Sequence, residues 1–283
     1  MRSEVKPRAL LEMMRPVNDL MIGVAVIAGY LAGGGRAPLP AVEGFLTGFL
    51  ISGYSMVVND VFDVRVDLLN RRMRPLVRGD VGVRGAWAFA LSLLALGLAS
   101  SALTGPPTLV IAALFAALAF LYSARLKREG LAGNIVVALS MAIPFLYGGL
   151  IGGINYLLVF VMFSTSFLTG LSREILKAIA DVSGDAASGI RSLPVVVGVE
   201  ASAALSAALI ALAVPIAYLP VAAGLRNPLY IVGVSAASLI FLLMAYDISR
   251  LRDPRKAYEM KRRMLVPMAI GLITYVLQGV LSA

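Results

Sequence analysis

The 283-residue chain has no cysteine, no histidine and a single tryptophan. Without those two ligand types, haem ligation by histidine, zinc sites and thiol chemistry are excluded. Any bound metal must be held by Asp, Glu, Asn or carbonyl oxygen, which selects a hard cation such as magnesium. Charge is also scarce, at 14% of residues, and acids are fewer than bases, with 16 Asp and Glu against 25 Lys and Arg. The net charge of +9 would suit nucleic acid in a soluble chain. Here 59% of residues are hydrophobic and mean hydropathy is +0.88, so the distribution of the basic residues carries the information, and no nucleic-acid partner is expected.

What is abundant is apolar sequence in lengths near those needed to cross a bilayer, about 20 residues each. Nine spans are expected, at about 17–34, 41–62, 86–104, 108–123, 131–151, 156–175, 201–220, 229–247 and 264–282. The chain reads as an all-α polytopic membrane protein with one domain over 1–283. Met1 to Met14 is short and basic and leads straight into the first span, so no separate signal peptide is expected. Every Lys and Arg except Arg36 and Arg226 falls in the N-terminal segment or in alternate loops. Positive charge marks the cytoplasmic side. The expected topology is therefore nine spans with the N-terminus inside, in a cell membrane.

Against this background one stretch stands out. Asn59-Asp60-Val61-Phe62-Asp63-Val64-Arg65-Val66-Asp67 directly follows the second span, and Asp181 and Asp185 follow the sixth. Ionisable groups at membrane depth cost about 2.5–3.5 kcal/mol each, which makes them functional candidates. Residues four apart share a helix face. Asn59, Asp63 and Asp67 therefore form a row, with Asp60 on the neighbouring one, and Asp181 and Asp185 stack likewise. Like charges so arranged repel, and they make sense if cations lie between them. Both clusters are followed by a basic, proline-containing loop (Arg74-Pro75-Leu76, Arg191-Ser192-Leu193-Pro194) and a returning helix. That pattern suggests a duplicated hairpin, with the two acidic faces meeting across the bundle. A magnesium-bound diphosphate suits such a site, because metal and Arg/Lys clamps neutralise the charge that develops as diphosphate leaves an allylic carbon.

At these residues the sequence resembles the UbiA-type superfamily of intramembrane prenyltransferases, over nearly the whole chain. Asn59 to Asp67 matches that family's NDxxDxxxD, and Asp181-Val182-Ser183-Gly184-Asp185 its DxxxD. The resemblance implies nine helices around a cavity, and Asn59, Asp60, Asp63, Asp67, Asp181 and Asp185 as catalytic residues. Of these, Asn59, Asp63, Asp67, Asp181 and Asp185 would hold Mg2+. Arg15-Pro16-Val17-Asn18, Tyr122-Ser123-Ala124-Arg125-Leu126-Lys127, Gly133-Asn134, Pro144-Phe145-Leu146-Tyr147-Gly148 and Arg173-Glu174-Ile175-Leu176-Lys177 look like the archaeal branch that builds ether lipids. Ala178 and Ala180 depart from the polar or acidic residues usual in that branch. The implied reaction moves a geranylgeranyl group from its diphosphate to the sn-2 hydroxyl of geranylgeranylglyceryl phosphate.

Substrate-binding candidates are Arg15, Asn18, Arg65, Arg74, Tyr122, Lys127, Arg173 and Lys177. Arg15, Arg65 and Arg125 are candidates for an anionic lipid acceptor, and Lys127 for the diphosphate. Lys177 lies four before Asp181, so a helix ion pair competes with a substrate role. Tyr122 also suits an interfacial aromatic belt. The basic stretch from Arg250 to Arg263 reads as topology and lipid contact. The glycines of the first two spans, Gly23, Gly29, Gly33, Gly44, Gly48 and Gly53, read as close helix packing. Two other readings stand beside this one. Prenylation of an aromatic acceptor would need no second anionic-lipid pocket. An ion or proton transporter would need charge lining a path to the far side, where Arg36 and Arg226 are the only basic residues.

Overall fold

The computed structural model describes residues 6–69, 71–153 and 155–281. Arg2, one of the N-terminal cations counted above, lies outside the described residues. No strand occurs among them. The helices are α1 (Pro7–Met14), α2 (Pro16–Ala32), α3 (Pro38–Leu69), α4 (Pro75–Arg78), α5 (Val83–Thr104), α6 (Pro106–Ala124), α7 (Leu131–Gly152), α8 (Tyr156–Ala180), α9 (Val182–Ala187), α10 (Leu193–Val197), α11 (Val199–Ala217), α12 (Leu219–Ala222), α13 (Pro228–Ser249), α14 (Pro254–Arg263) and α15 (Leu265–Leu281).

Eight helical stretches are long and apolar enough to cross a bilayer: Pro38–Leu69, Val83–Thr104, Pro106–Ala124, Leu131–Gly152, Tyr156–Ala180, Val199–Ala222, Pro228–Ser249 and Pro254–Leu281. Nine spans are expected and eight are found among the described residues: the first expected span, 17–34, falls on α2, an apolar helix of 17 residues that is shorter than those eight. The chain is a multi-pass membrane protein. Large side chains such as Leu91, Leu114, Val232, Leu239, Leu243 and Ile273 are exposed. A lipid-facing surface has that composition, since acyl chains are as apolar as leucine.

Helix starts follow local chemistry. Proline opens α2, α3, α6, α13 and α14, where its missing N–H costs nothing and its fixed φ already suits a helix. Asn155 Oδ1 accepts from Leu158 N at 3.1 Å at the start of α8, Asn227 Oδ1 from Leu229 N at 3.0 Å at α13, and Asp253 Oδ1 from Arg255 N at 3.0 Å at α14. Each satisfies an N–H that the helix leaves open.

The chain divides into two compact units. The first comprises residues 1–27 and 36–125. In it α3 packs on α5 and α6, and α1 packs on α3. Its core joins Met13 and Met14 of α1 to Ile51, Tyr54, Val57 and Val58 of α3 and to Ala86, Ala90 and Leu93 of α5. A Cβ on Gly53 would lie 2.8 Å from the Met14 side chain, and one on Gly48 would lie 2.9 Å from Val26.

The second unit comprises 28–35 and 126–283. There α8 packs against α7, α11 and α14, and α13 against α11 and α15. Its largest core cluster joins Ile175, Leu176 and Ile179 of α8, Ala203, Ala207 and Ile210 of α11, and Ala257 and Met264 around α14. A Cβ on Gly29 would lie 2.2 Å from the Phe145 carbonyl oxygen, and one on Gly33 would lie 2.8 Å from that of Gly149. The glycines of the first two spans act as expected, letting backbones approach where apolar burial offers no drive between helices.

Candidate active site

In the first unit, α3 does not stop where its apolar run ends. It continues unbroken to Leu69, carrying Asn59, Asp60, Asp63 and Asp67. Asn59 Nδ2 donates to Asp63 Oδ2 at 3.2 Å across one turn, so the expected face forms. Asp60 turns elsewhere. It is 3% exposed and its Oδ1 accepts from Arg15 Nη2 at 2.6 Å and Arg74 Nη1 at 2.5 Å. Arg74 also lies 3.1 Å from Asp67 Oδ2, and Arg72 lies 3.9 Å from Asp67 Oδ1. Two arginines from separate parts of the chain thus converge on the acids of α3.

Arg15 reaches Asp60 from a constrained position. It is the residue between α1 and α2, with φ 59° and ψ 65°. A non-glycine residue in that left-handed region costs about 1–2 kcal/mol, and a right-handed helical conformation is disfavoured just before Pro16. The guanidinium also lies 3.4 Å from Met56 Sδ. The kink between α1 and α2 is held by what Arg15 binds.

The loop after α3 is tied down as well. Arg78 makes a forked contact with Glu12, at 3.0 and 2.6 Å, and binds Asp80 at 2.7 Å. Lys6 reaches Asp80 at 2.7 Å. The hydrogen bond from Arg78 holds the Glu12 carboxyl below the usual carboxylate range. Those from Lys6 and Arg78 do the same for Asp80. Of the basic loop, Arg74 and Arg78 therefore serve acids of the same unit, and Arg71 is exposed.

Two predicted residues stand apart from this network. Asn18 and Arg65 are exposed. Tyr122 is half-buried near the end of α6. One buried acid escaped the sequence reading altogether. Asp19, next to Asn18, is wholly buried, and its Oδ1 accepts from Ser52 Oγ at 2.7 Å, while its Oδ2 has no hydrogen-bond partner. A lone acid in an apolar run was the signal available.

In the second unit, α8 carries Arg173, Glu174 and Lys177 in its last two turns and ends at Asp181. The helical path continues beyond that break: Asp181 N donates to Lys177 O at 3.0 Å, and Asp185 N to Asp181 O at 2.9 Å. Asp181 is exposed and Asp185 half-buried. Lys177 pairs with Glu174 at 3.5 Å, three residues back. Arg173 pairs with the same carboxylate at 3.5 Å. Glu174 is 5% exposed and is the shared counter-ion of both cations. Lys127 is exposed in the short helical turn Leu126–Arg128.

The donor set fits magnesium in kind. All available groups are hard oxygens, and Asp67 Oδ1 is buried without a hydrogen-bond partner. Among the described residues no three acidic side chains converge to form a protein cage for a metal.

Residues 20–276 match the UbiA prenyltransferase family. The chain belongs to that family and is an intramembrane prenyltransferase. It is 35% identical over 271 residues to the digeranylgeranylglyceryl phosphate synthase of Methanopyrus kandleri, covering 95% of this chain and 98% of that protein. It is 31% identical to the protein of the same name from Pyrococcus abyssi, covering 95% and 96%. A solved digeranylgeranylglyceryl phosphate synthase superposes with a TM-score of 0.89 at 27% identity, covering 96% of this chain and 98% of that one. A UbiA homologue from Archaeoglobus fulgidus, bound to DMAPP and Mg2+, shares the fold with a TM-score of 0.76 at 24% identity, covering 96% and 98%.

Proposed function

We propose that the chain transfers a geranylgeranyl group from geranylgeranyl diphosphate to the sn-2 hydroxyl of geranylgeranylglyceryl phosphate, with magnesium and with its active site on the cytoplasmic side. The observation that carries the acceptor is the likeness to proteins of that activity's name, at 35% identity over nearly the full length of both chains. It is supported by the acids of α3, which stand among arginines instead of in an apolar wall.

Asn59, Asp63 and Asp67 of the first unit would hold magnesium, as would Asp181 and Asp185 of the second. When bound, magnesium supplies neutralisation of the charge that gathers on departing diphosphate. The C1–O bond of the donor breaks and its electron pair leaves with the diphosphate. The sn-2 oxygen then bonds to C1 and its proton passes to the released diphosphate. Arg15 and Arg74, fixed by Asp60, set a positive field beside Asp63 and Asp67 that favours the leaving anion. Lys127, Arg173 and Lys177 would bind phosphate oxygens, and Asn18, Arg65 and Tyr122 would contact substrate where they are accessible. The apolar helices around these groups would exclude water, which otherwise captures the allylic cation.

Purified chain in lipid nanodiscs, given labelled geranylgeranyl diphosphate, magnesium and either geranylgeranylglyceryl phosphate or an aromatic quinone precursor, tests this. A dialkyl ether product found by mass supports the proposal. Prenylation of the aromatic acceptor alone would overturn the acceptor. Failure to release diphosphate with either would overturn the chemistry.

A further inference from the structure

The basic stretch around α14 gains a partner in the folded protein. Ala257 and Met264 are wholly buried in the cluster that contains Ile175, Leu176 and Ile179 of α8. Lys261 lies four residues after Ala257 and three before Met264, so it shares the face that packs on α8. It is half-buried, whereas Arg255, Lys256, Arg262 and Arg263 are exposed. Its ammonium sits 4.5 Å from the centre of the Tyr258 ring, within Coulombic range of Arg173, Lys177, Glu174 and Asp181. Three cations and two carboxylates thus lie within electrostatic reach of one another towards one end of α8.

The cluster is short of negative charge and of acceptors. Glu174 is the shared partner of Arg173 and Lys177, both at 3.5 Å, a distance at which hydrogen bonds are weak. Arg173 Nε is buried and has no hydrogen-bond partner. A buried donor left unmet is destabilising. Three crowded cations repel at any low local dielectric. One oxyanion would answer both costs, accepting from Arg173 Nε–H and lying among the three positive groups.

We propose that Lys261, together with Arg173 and Lys177, binds a phosphoryl group of a substrate at the end of α8. This rests on the prenyl-transfer reading above, in which both the donor (a diphosphate) and the acceptor (a phosphate monoester) carry that group. Lys261 is a binding residue contributed by a loop helix more than seventy positions after the second aspartate motif.

The test uses the full chain in nanodiscs with Lys261→Gln, Lys261→Arg and, as a neighbour on the exposed side, Arg262→Gln. Michaelis constants for donor and acceptor are measured separately, and binding of inorganic diphosphate and of glycerol 1-phosphate by calorimetry. Lys261→Gln should raise the KM of one phosphoryl substrate about tenfold, the scale of one lost charge-assisted bond. Lys261→Arg should stay within about threefold of wild type, as should Arg262→Gln, since a guanidinium still serves an oxyanion. The substrate whose KM moves identifies the source of the phosphoryl group. No change in either KM with Lys261→Gln overturns the site, as does Lys261→Arg losing as much as Lys261→Gln, which would mean packing and not charge. If the wild type makes no ether product, the function proposed above fails. The site still stands if Lys261→Gln weakens binding of inorganic diphosphate or glycerol 1-phosphate, and falls if it does not.

Discussion

Replacing Asp60 by asparagine separates holding the site together from ligating its metal. Asp60 is 3% exposed and accepts from two arginines at 2.6 and 2.5 Å. Each charge-assisted bond is worth about 1.5–3 kcal/mol in a buried setting. Several effects reduce the sum. Asparagine retains one neutral hydrogen bond, and losing the carboxylate removes its desolvation cost. Arg15 and Arg74 are 33% and 25% exposed, so water partly replaces what they lose, and Arg74 keeps Asp67. The net loss is about 2 kcal/mol. At roughly 2–4 °C per kcal/mol for a chain of this size, melting followed by the single tryptophan, Trp87, should fall by about 4–8 °C. The shift should change little between low and high salt, because buried pairs are poorly screened. Turnover should drop about tenfold through misplaced arginines, with the magnesium requirement unchanged. An unaltered melting point combined with loss of all activity would refute this reasoning and make Asp60 a direct ligand.

The remaining predictions concern other parts of the chain. Asp63→Ala and Asp181→Ala should each abolish prenyl transfer, with melting within about 2 °C of wild type, because neither carboxylate is buried; activity retained in both, measured as diphosphate release, would remove the metal site. Arg78 holds Glu12 below its ordinary carboxylate value, and Lys6 and Arg78 hold Asp80 below its own. A depressed folded pKa gives stability that is present above the unfolded value and lost as pH falls through the folded one. Amide protection factors in α1, corrected for the intrinsic pH dependence of exchange, should therefore be unchanged from pH 7 to 5 and fall as pH is lowered below about 4, in the range where free carboxylates take up protons, whereas those in α5 should not. Gly29→Ala would put a Cβ 2.2 Å from the Phe145 carbonyl oxygen. Backbone must move to admit it, so about 1–3 kcal/mol of stability should be lost, visible as a lower melting point, while Gly184→Ala, which meets nothing within 4 Å, should leave the melting point unchanged.

The membrane spans and the acid rows were legible in the residue order because each obeys a local rule. A bilayer demands about 20 apolar residues per crossing, and a helix brings every fourth residue to one face, so Asn59 and Asp63 meet as the spacing implies. The same locality explains why the glycines of the first two spans could be assigned to packing without knowing which backbone they face. Ion pairs are different. By spacing, Lys177 could pair with Asp181, yet it turns back to Glu174, since Glu174 is buried and Asp181 open to solvent. Asp60 is followed in sequence by Arg65, Arg71, Arg72, Arg74 and Arg78, but only folding selects Arg15, 45 residues earlier, and Arg74, 14 later.

Residue order by itself determined the class of protein, its apolar helices, the rows of acids and the hard-oxygen character of any metal site, since all of these follow from composition and from periods of a few residues. Tertiary structure alone decided which charges are neutralised within the protein. Asp60 is bound by two arginines, Asp19 lies buried beside Ser52, and Lys261 stands over the end of α8. The physical reason is that the worth of a charge depends on its burial and its neighbours, and these are supplied by helices distant in the chain.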